Sequence, residues 1–169
     1  MMISFLVLIF FLLQVGPLWA ARYELTRNNI EDPNKIDAQE VSLYRVKLGD
    51  PEEKAIEYLV EDKISGIRVE QEGTFILLWN KGNPTGAMAG VGLMDGKVNL
   101  IFINNRFAYK TRGLFRRVLN AKSTKEVREL LGKEDYGDEN VMGAMLHYET
   151  KGFVVNYLGR DINVEFQLP

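Results

Sequence analysis

The residues that could do chemistry are few. The 169-residue chain holds one histidine and no cysteine. Thiolate nucleophiles, zinc ribbons, iron–sulfur clusters and multi-histidine metal sites are therefore excluded. A histidine-centred catalytic site could rest only on His147. It stands between Leu146 and Tyr148, so in an alternating strand it faces away from both and reads as a surface or groove residue. No serine stands in a nucleophile-elbow context. Gly90-Val91-Gly92 has too few glycines to cradle a phosphate. Asp135, Asp138 and Glu139 lack the ligand alternation of a calcium loop and read as a solvated acidic link. No catalytic residue, metal ligand or cofactor is assigned.

Two groups of residues could recognise a partner instead. Arg106, Lys110, Arg112, Arg116, Arg117, Lys122, Lys125 and Arg128 form a basic stretch interrupted only by Glu126. It is either a surface for anionic lipid, anionic polymer or an acidic protein, or the solvated faces of two helices balanced by the acidic segments at 52–62 and 134–139. A net charge of -2 argues against nucleic acid as the partner. The second group is aromatic. Trp79 and Tyr148 would be interface anchors on an uncovered sheet face, or core residues on a covered one. The candidate partner-binding residues are thus Trp79, Tyr148, His147, Arg112, Arg116 and Arg117.

The N-terminus is an address. Residues 1–20 contain no charged side chain, and the run Ile3 to Leu13 is nearly all apolar before Gly16-Pro17 breaks it. This pattern predicts a secretory signal peptide over 1–20, cleaved after Ala20, although no Lys or Arg precedes the apolar run. The alternative is an uncleaved N-terminal membrane anchor. The expected location is secreted or periplasmic. Without cysteine there is neither a lipid tether at the cleavage point nor a disulfide, and cysteine avoidance in an exported chain leans towards the bacterial envelope.

The elements that must position these residues fall into two halves. Residues 21–45 read as a loose polar leader. The first unit, 46–105, opens on Asp50-Pro51-Glu52-Glu53, with Asp50 as N-cap, and continues as a short helix through Ile56, Leu59 and Val60. Phe75–Trp79 follows as a strand, and Val91–Met94 and Val98–Ile103 form a hairpin around Asp95-Gly96. The second unit, 106–169, has a helical pattern at Leu114–Leu119. A capping box at Ser123-Thr124-Lys125-Glu126 opens another, which stops at Gly132. Strands at 144–148, 153–158 and 162–168 complete it. The halves align with Ile56, Leu59 and Val60 on Val127, Leu130 and Leu131, with Trp79 on Tyr148, and with Val98–Phe102 on Ile162–Phe166. The expected inward side chains are Phe75, Leu77, Trp79, Leu100 and Phe102, then Leu146, Tyr148, Val155, Tyr157, Val164 and Phe166.

The expected class is α+β: two tandem helix-plus-antiparallel-strand repeats with the helices on one face of the sheet. The segments Leu48–Leu59, Phe75–Trp79, Val91–Ile101, Ser123–Gly132 and Tyr148–Phe166 resemble the module of the β-lactamase-inhibitor-protein-like fold. The same module is similar to the small outer-membrane lipoproteins of the bacterial barrel-assembly machinery. The resemblance covers most of residues 46–168. It implies an exported protein that binds other proteins through a sheet face and loops, without enzymatic activity. The chain departs from the lipoproteins in lacking the lipidated cysteine, and from the inhibitors in lacking disulfides. The expectation is a protein-interaction module of the bacterial envelope with a protein partner. The alternative is an extracytoplasmic carrier of a small apolar or anionic ligand.

Overall fold

A computed structural model describes residues 23–27 and 30–168. The expected signal peptide or anchor at 1–20 lies outside them. Among the described residues, no helix is long and apolar enough to cross a membrane.

The chain is mixed α/β and mostly strand. A three-stranded sheet joins β1 (Tyr23–Glu24), β2 (Val41–Leu43) and β3 (Val46–Lys47), with β1 parallel to β2 and β3 antiparallel to it. The main sheet has eight antiparallel strands. β4 (Ile67–Glu72), β5 (Phe75–Asn80), β6 (Asn83–Met94) and β7 (Lys97–Asn104) make one meander; β8 (Tyr136–Asn140), β9 (Gly143–Tyr148), β10 (Phe153–Leu158) and β11 (Asp161–Gln167) make the other. The meanders meet at their last strands, in the order β4-β5-β6-β7-β11-β10-β9-β8. Ile103 lies opposite Val164 at the seam. The β6–β7 turn is Asp95-Gly96, both with positive φ, as a two-residue hairpin of this twist requires.

Among the described residues, three α-helices accompany the sheets. α1 (Glu52–Ala55) runs directly into a π-helical segment, Ile56–Glu61. Its N-cap is Pro51 rather than Asp50, because the Asp50 carboxylate is already taken by the Lys47 N–H (2.7 Å) and the Lys54 ammonium (2.9 Å). The Glu52 N–H donates instead to the Gly96 carbonyl of the β6–β7 turn. α3 (Thr124–Leu131) starts as its sequence predicts, with Ser123 Oγ accepting from the Glu126 N–H, and it stops at Gly132 in a left-handed φ. Glu126 reaches back to the Lys122 N–H, one residue further than a capping box would.

The described residues of segment 21–45, which was expected to be loose, contribute to the core. Leu25, Ile30, Ile36, Val41 and Leu43 are buried. The segment also caps α2 (Gly113–Leu119), whose N-cap residue Arg112 makes no side-chain bond. The Leu25 carbonyl accepts from the Arg112 N–H, and the Ile30 carbonyl accepts from the Leu114 N–H at 2.6 Å. Orphan donors of a helix N-terminus are thus satisfied by backbone from another segment. α2 in turn buries Leu114, Phe115, Val118 and Leu119, and the Phe115 ring meets Phe153 (5.8 Å) and Phe166 (5.1 Å) edge-on.

Candidate functional site

One face of the eight-stranded sheet is buried, and the other is only half-covered. In the second meander the buried side chains are those the sequence pattern indicates, including Leu146, Val155, Val164 and Phe166, with Tyr157 half-buried. In the first meander the assignment is inverted. Ile76 and Leu78 are fully buried, whereas Phe75, Leu77 and Trp79 lie on the opposite face. β7 inverts as well. Gly92 pairs with Leu100 and Leu93 with Val98, so Asn99 is an extra residue in β7. Such a bulge transfers every later side chain to the other face. Ile101 and Ile103 therefore enter the core, and Leu100 and Phe102 are half-exposed.

The half-covered face has two regions. The apolar region is built from Phe75, Leu77 and Trp79 on β5, Gly90 and Gly92 on β6, and Leu100 and Phe102 on β7. Phe75 is 41% exposed. The Phe102 ring rests directly on Gly90, where a Cβ would stand 2.7 Å from the ring and 2.5 Å from the Ile76 carbonyl oxygen. Only glycine permits that approach. The Arg68 guanidinium lies 5.3 Å from the Trp79 ring centroid. The Trp79 indole N–H is buried and has no hydrogen-bond partner among the described residues.

The polar region occupies β7, β11, β10, β9 and β8. Glu165 is its centre. Its Oε1 accepts from Asn156 Nδ2 (2.9 Å) and Asn163 Nδ2 (2.6 Å), and its Oε2 accepts from Gln167 (3.3 Å). The side-chain oxygens of Asn156 and Asn163 are buried and unpartnered among the described residues. His147 stacks on Tyr136 at 4.0 Å and 15°. Met145 is 44% exposed beside it. Two depressions, of about 630 and 550 Å³, flank Asn156 and Glu165; Tyr136 and His147 line the first, Asn104 and Asn163 the second.

The sequence-derived candidates do not form one site. Trp79 and His147 share the half-covered face but lie on β5 and β9, five strand spacings or about 24 Å apart. Tyr148 belongs to the core: it is 1% exposed, stacks on Phe153 at 4.9 Å and donates its hydroxyl to the Gly132 carbonyl. It anchors no surface, because β9 alternates and its outward positions are Met145 and His147. Burial pushes the Tyr148 hydroxyl up to about 12.

Arg112, Arg116 and Arg117 sit on α2 or its N-cap and are exposed. Arg117 pairs with Glu31 at 2.7 Å. Elsewhere in the basic stretch, Arg128 grips Glu134 through two nitrogens and reaches Glu139, Lys125 meets Glu129, and Arg106 meets Asp161. Asp135 and Glu139 of the acidic link are likewise engaged. Asp135 accepts from the Thr150 N–H and hydroxyl, which hold its carboxyl below the ordinary range. Sequence reasoning missed the Asn156–Asn163–Glu165 cluster. Its members stand on adjacent strands, and alternation in β10 and β11 already placed them away from the core.

Among known proteins, the chain matches no family model, no curated sequence and no solved structure.

Proposed function

We propose that the protein is an exported, non-enzymatic interaction module of the bacterial envelope, and that it grips a protein partner with the half-covered face of its eight-stranded sheet. One observation carries the reading. Trp79 and His147 mark recognition-competent regions about 24 Å apart on one continuous surface, a span suited to a protein and too wide for a single small ligand. Trp and Tyr at such a face, with unsatisfied donors and acceptors between apolar anchors, have the make-up of an interface core. The tandem-repeat reading is supported by topology: each half contributes a four-stranded meander, and the two meet at their last strands. The residue correspondence then needs a shift of one, aligning Leu78, not Trp79, with Tyr148, so that both point inwards.

Chemical crosslinking in intact cells, followed by identification of the captured species, tests the proposal. The expected product is an adduct with one defined envelope protein. Recovery of lipid alone, or of no adduct, contradicts it. Sequencing the N-terminus of the exported protein should begin at Ala21; a start at Met1 in membranes would instead establish the anchor.

A further inference from the structure

A second place on the molecule, built around the small three-stranded sheet, concentrates three unusual features. The first is Glu24 in β1. It is 7% exposed, yet its carboxylate accepts from five donors: Thr26 N–H (3.4 Å), Thr26 Oγ1 (2.8 Å), Ser42 Oγ (3.0 Å), Tyr44 N–H (3.0 Å) and Arg45 N–H (2.9 Å). The second is the β2–β3 turn that the last two donors belong to. Tyr44 (φ 50°) and Arg45 (φ 71°) are both left-handed, in a turn that ordinarily takes Asn-Gly. The buried carboxylate holds this turn in place, and backbone strain of this kind gathers at ligand clamps. The third is the π-helical segment Ile56–Glu61, a rare geometry that also gathers at functional sites. It carries Tyr58, whose ring centroid lies 5.5 Å from the Arg45 guanidinium.

All three features border one cleft of about 340 Å³, whose lining includes Glu24, Arg27, Tyr44, Arg45, Tyr58, Asp62 and Lys63. Its charge is positive on balance. Arg27, Arg45 and Lys63 face two carboxylates, and that of Glu24 is already occupied by its own donors. Among the described residues, none of the three cations has a carboxylate within ion-pair distance. The Tyr44 hydroxyl, pushed up to about 12 by burial and then by the Glu24 charge, stays protonated through the neutral range. The cleft is at the small end of ligand sites in volume.

We propose that this cleft binds a small oxyanion, a carboxylate or phosphate carried on a flat apolar stem. Arg45, Arg27 and Lys63 take the anion, and the Tyr44 and Tyr58 rings take the stem. A guanidinium preset by a locked turn is suited to bidentate contact with such a group.

Titration of the intact protein with phenyl phosphate at low salt, followed by backbone amide NMR, is the test. Saturable shifts are expected at Tyr44, Arg45 and Tyr58, with none from phenol. Arg45→Gln and Lys63→Gln should each weaken binding roughly tenfold. Lys63 is exposed, so its variant keeps the fold if the Arg45 variant does not. Absence of saturable shifts, shifts confined to another region, or unchanged affinity in Lys63→Gln would overturn the proposal. Sedimentation with phosphatidic acid vesicles distinguishes the source. Co-sedimentation assigns the phosphate to a lipid headgroup; phenyl phosphate binding without co-sedimentation assigns it to a free ligand.

Discussion

At the scale of single residues, Gly90 shows how tightly the candidate face is assembled. A methyl group there meets the Ile76 carbonyl oxygen at 2.5 Å, and backbone cannot yield as a side chain can. Gly90→Ala should therefore lower stability by about 1–3 kcal/mol, read by denaturant unfolding. Trp79→Ala is the complementary change. Trp79 is half-buried with an unpaired N–H, so its truncation should cost little stability but weaken partner binding by ~2 kcal/mol or more. Arg45→Gly should raise stability by about 1 kcal/mol, because glycine accepts the left-handed turn without strain. The error that sequence reading made here has a physical cause. Phe75-Ile76-Leu77-Leu78-Trp79 is apolar on both faces, so alternation gives no sign of which face is inward. In β10 and β11, where Asn156, Asn163 and Glu165 alternate with Val155, Val164 and Phe166, the sign is present and the inward residues were legible.

At the scale of elements, local signals were readable where one segment satisfies itself. α3 carries its own cap and its own glycine stop, and the Asp95-Gly96 hairpin carries its own turn. α2 has no such signal, because its donors are met by Leu25 and Ile30 from a segment that is polar on average. Edge strands β4 and β8 were hidden for a related reason. Their charged residues guard unpaired edges and mask the pattern of a strand. The clamp joining α3 to β8 makes a pH prediction. The Arg128 guanidinium holds the Glu134 carboxyl below its usual range. A carboxyl depressed in the folded state adds stability above its unfolded pKa, and that stability is lost as pH falls through the folded value. The melting temperature should therefore drop below about pH 4.5, and that dependence should be reduced in Arg128→Gln.

At the scale of the whole molecule, eight strands share one sheet and the chain has no cysteine for a disulfide, so packed apolar faces carry much of its stability. Two tyrosines, Tyr148 buried and Tyr44 half-buried, weaken its stability at alkaline pH. Tyr44 and Tyr148 are both raised to about 12, so the stability they contribute is intact below pH 10 and disappears as pH rises through their folded values. Thermal unfolding between pH 9 and 12 should show this loss, and Tyr148→Phe should reduce it, at a cost of about 1 kcal/mol for the lost bond to Gly132. The mixed α/β class was legible from the order of elements, whereas the junction of the two meanders at β7 and β11 was not. Pairing between strands so far apart in sequence leaves no local trace.

The proposed grip of the half-covered sheet face on a protein partner is open to direct test. Photo-crosslinkers placed singly at Trp79, Met145 and Arg116 in the exported protein test it most directly. Trp79 and Met145, towards opposite ends of the face, should capture the same envelope protein, and Arg116, on α2, should not. Capture from Arg116 alone, or different proteins from Trp79 and Met145, would contradict it.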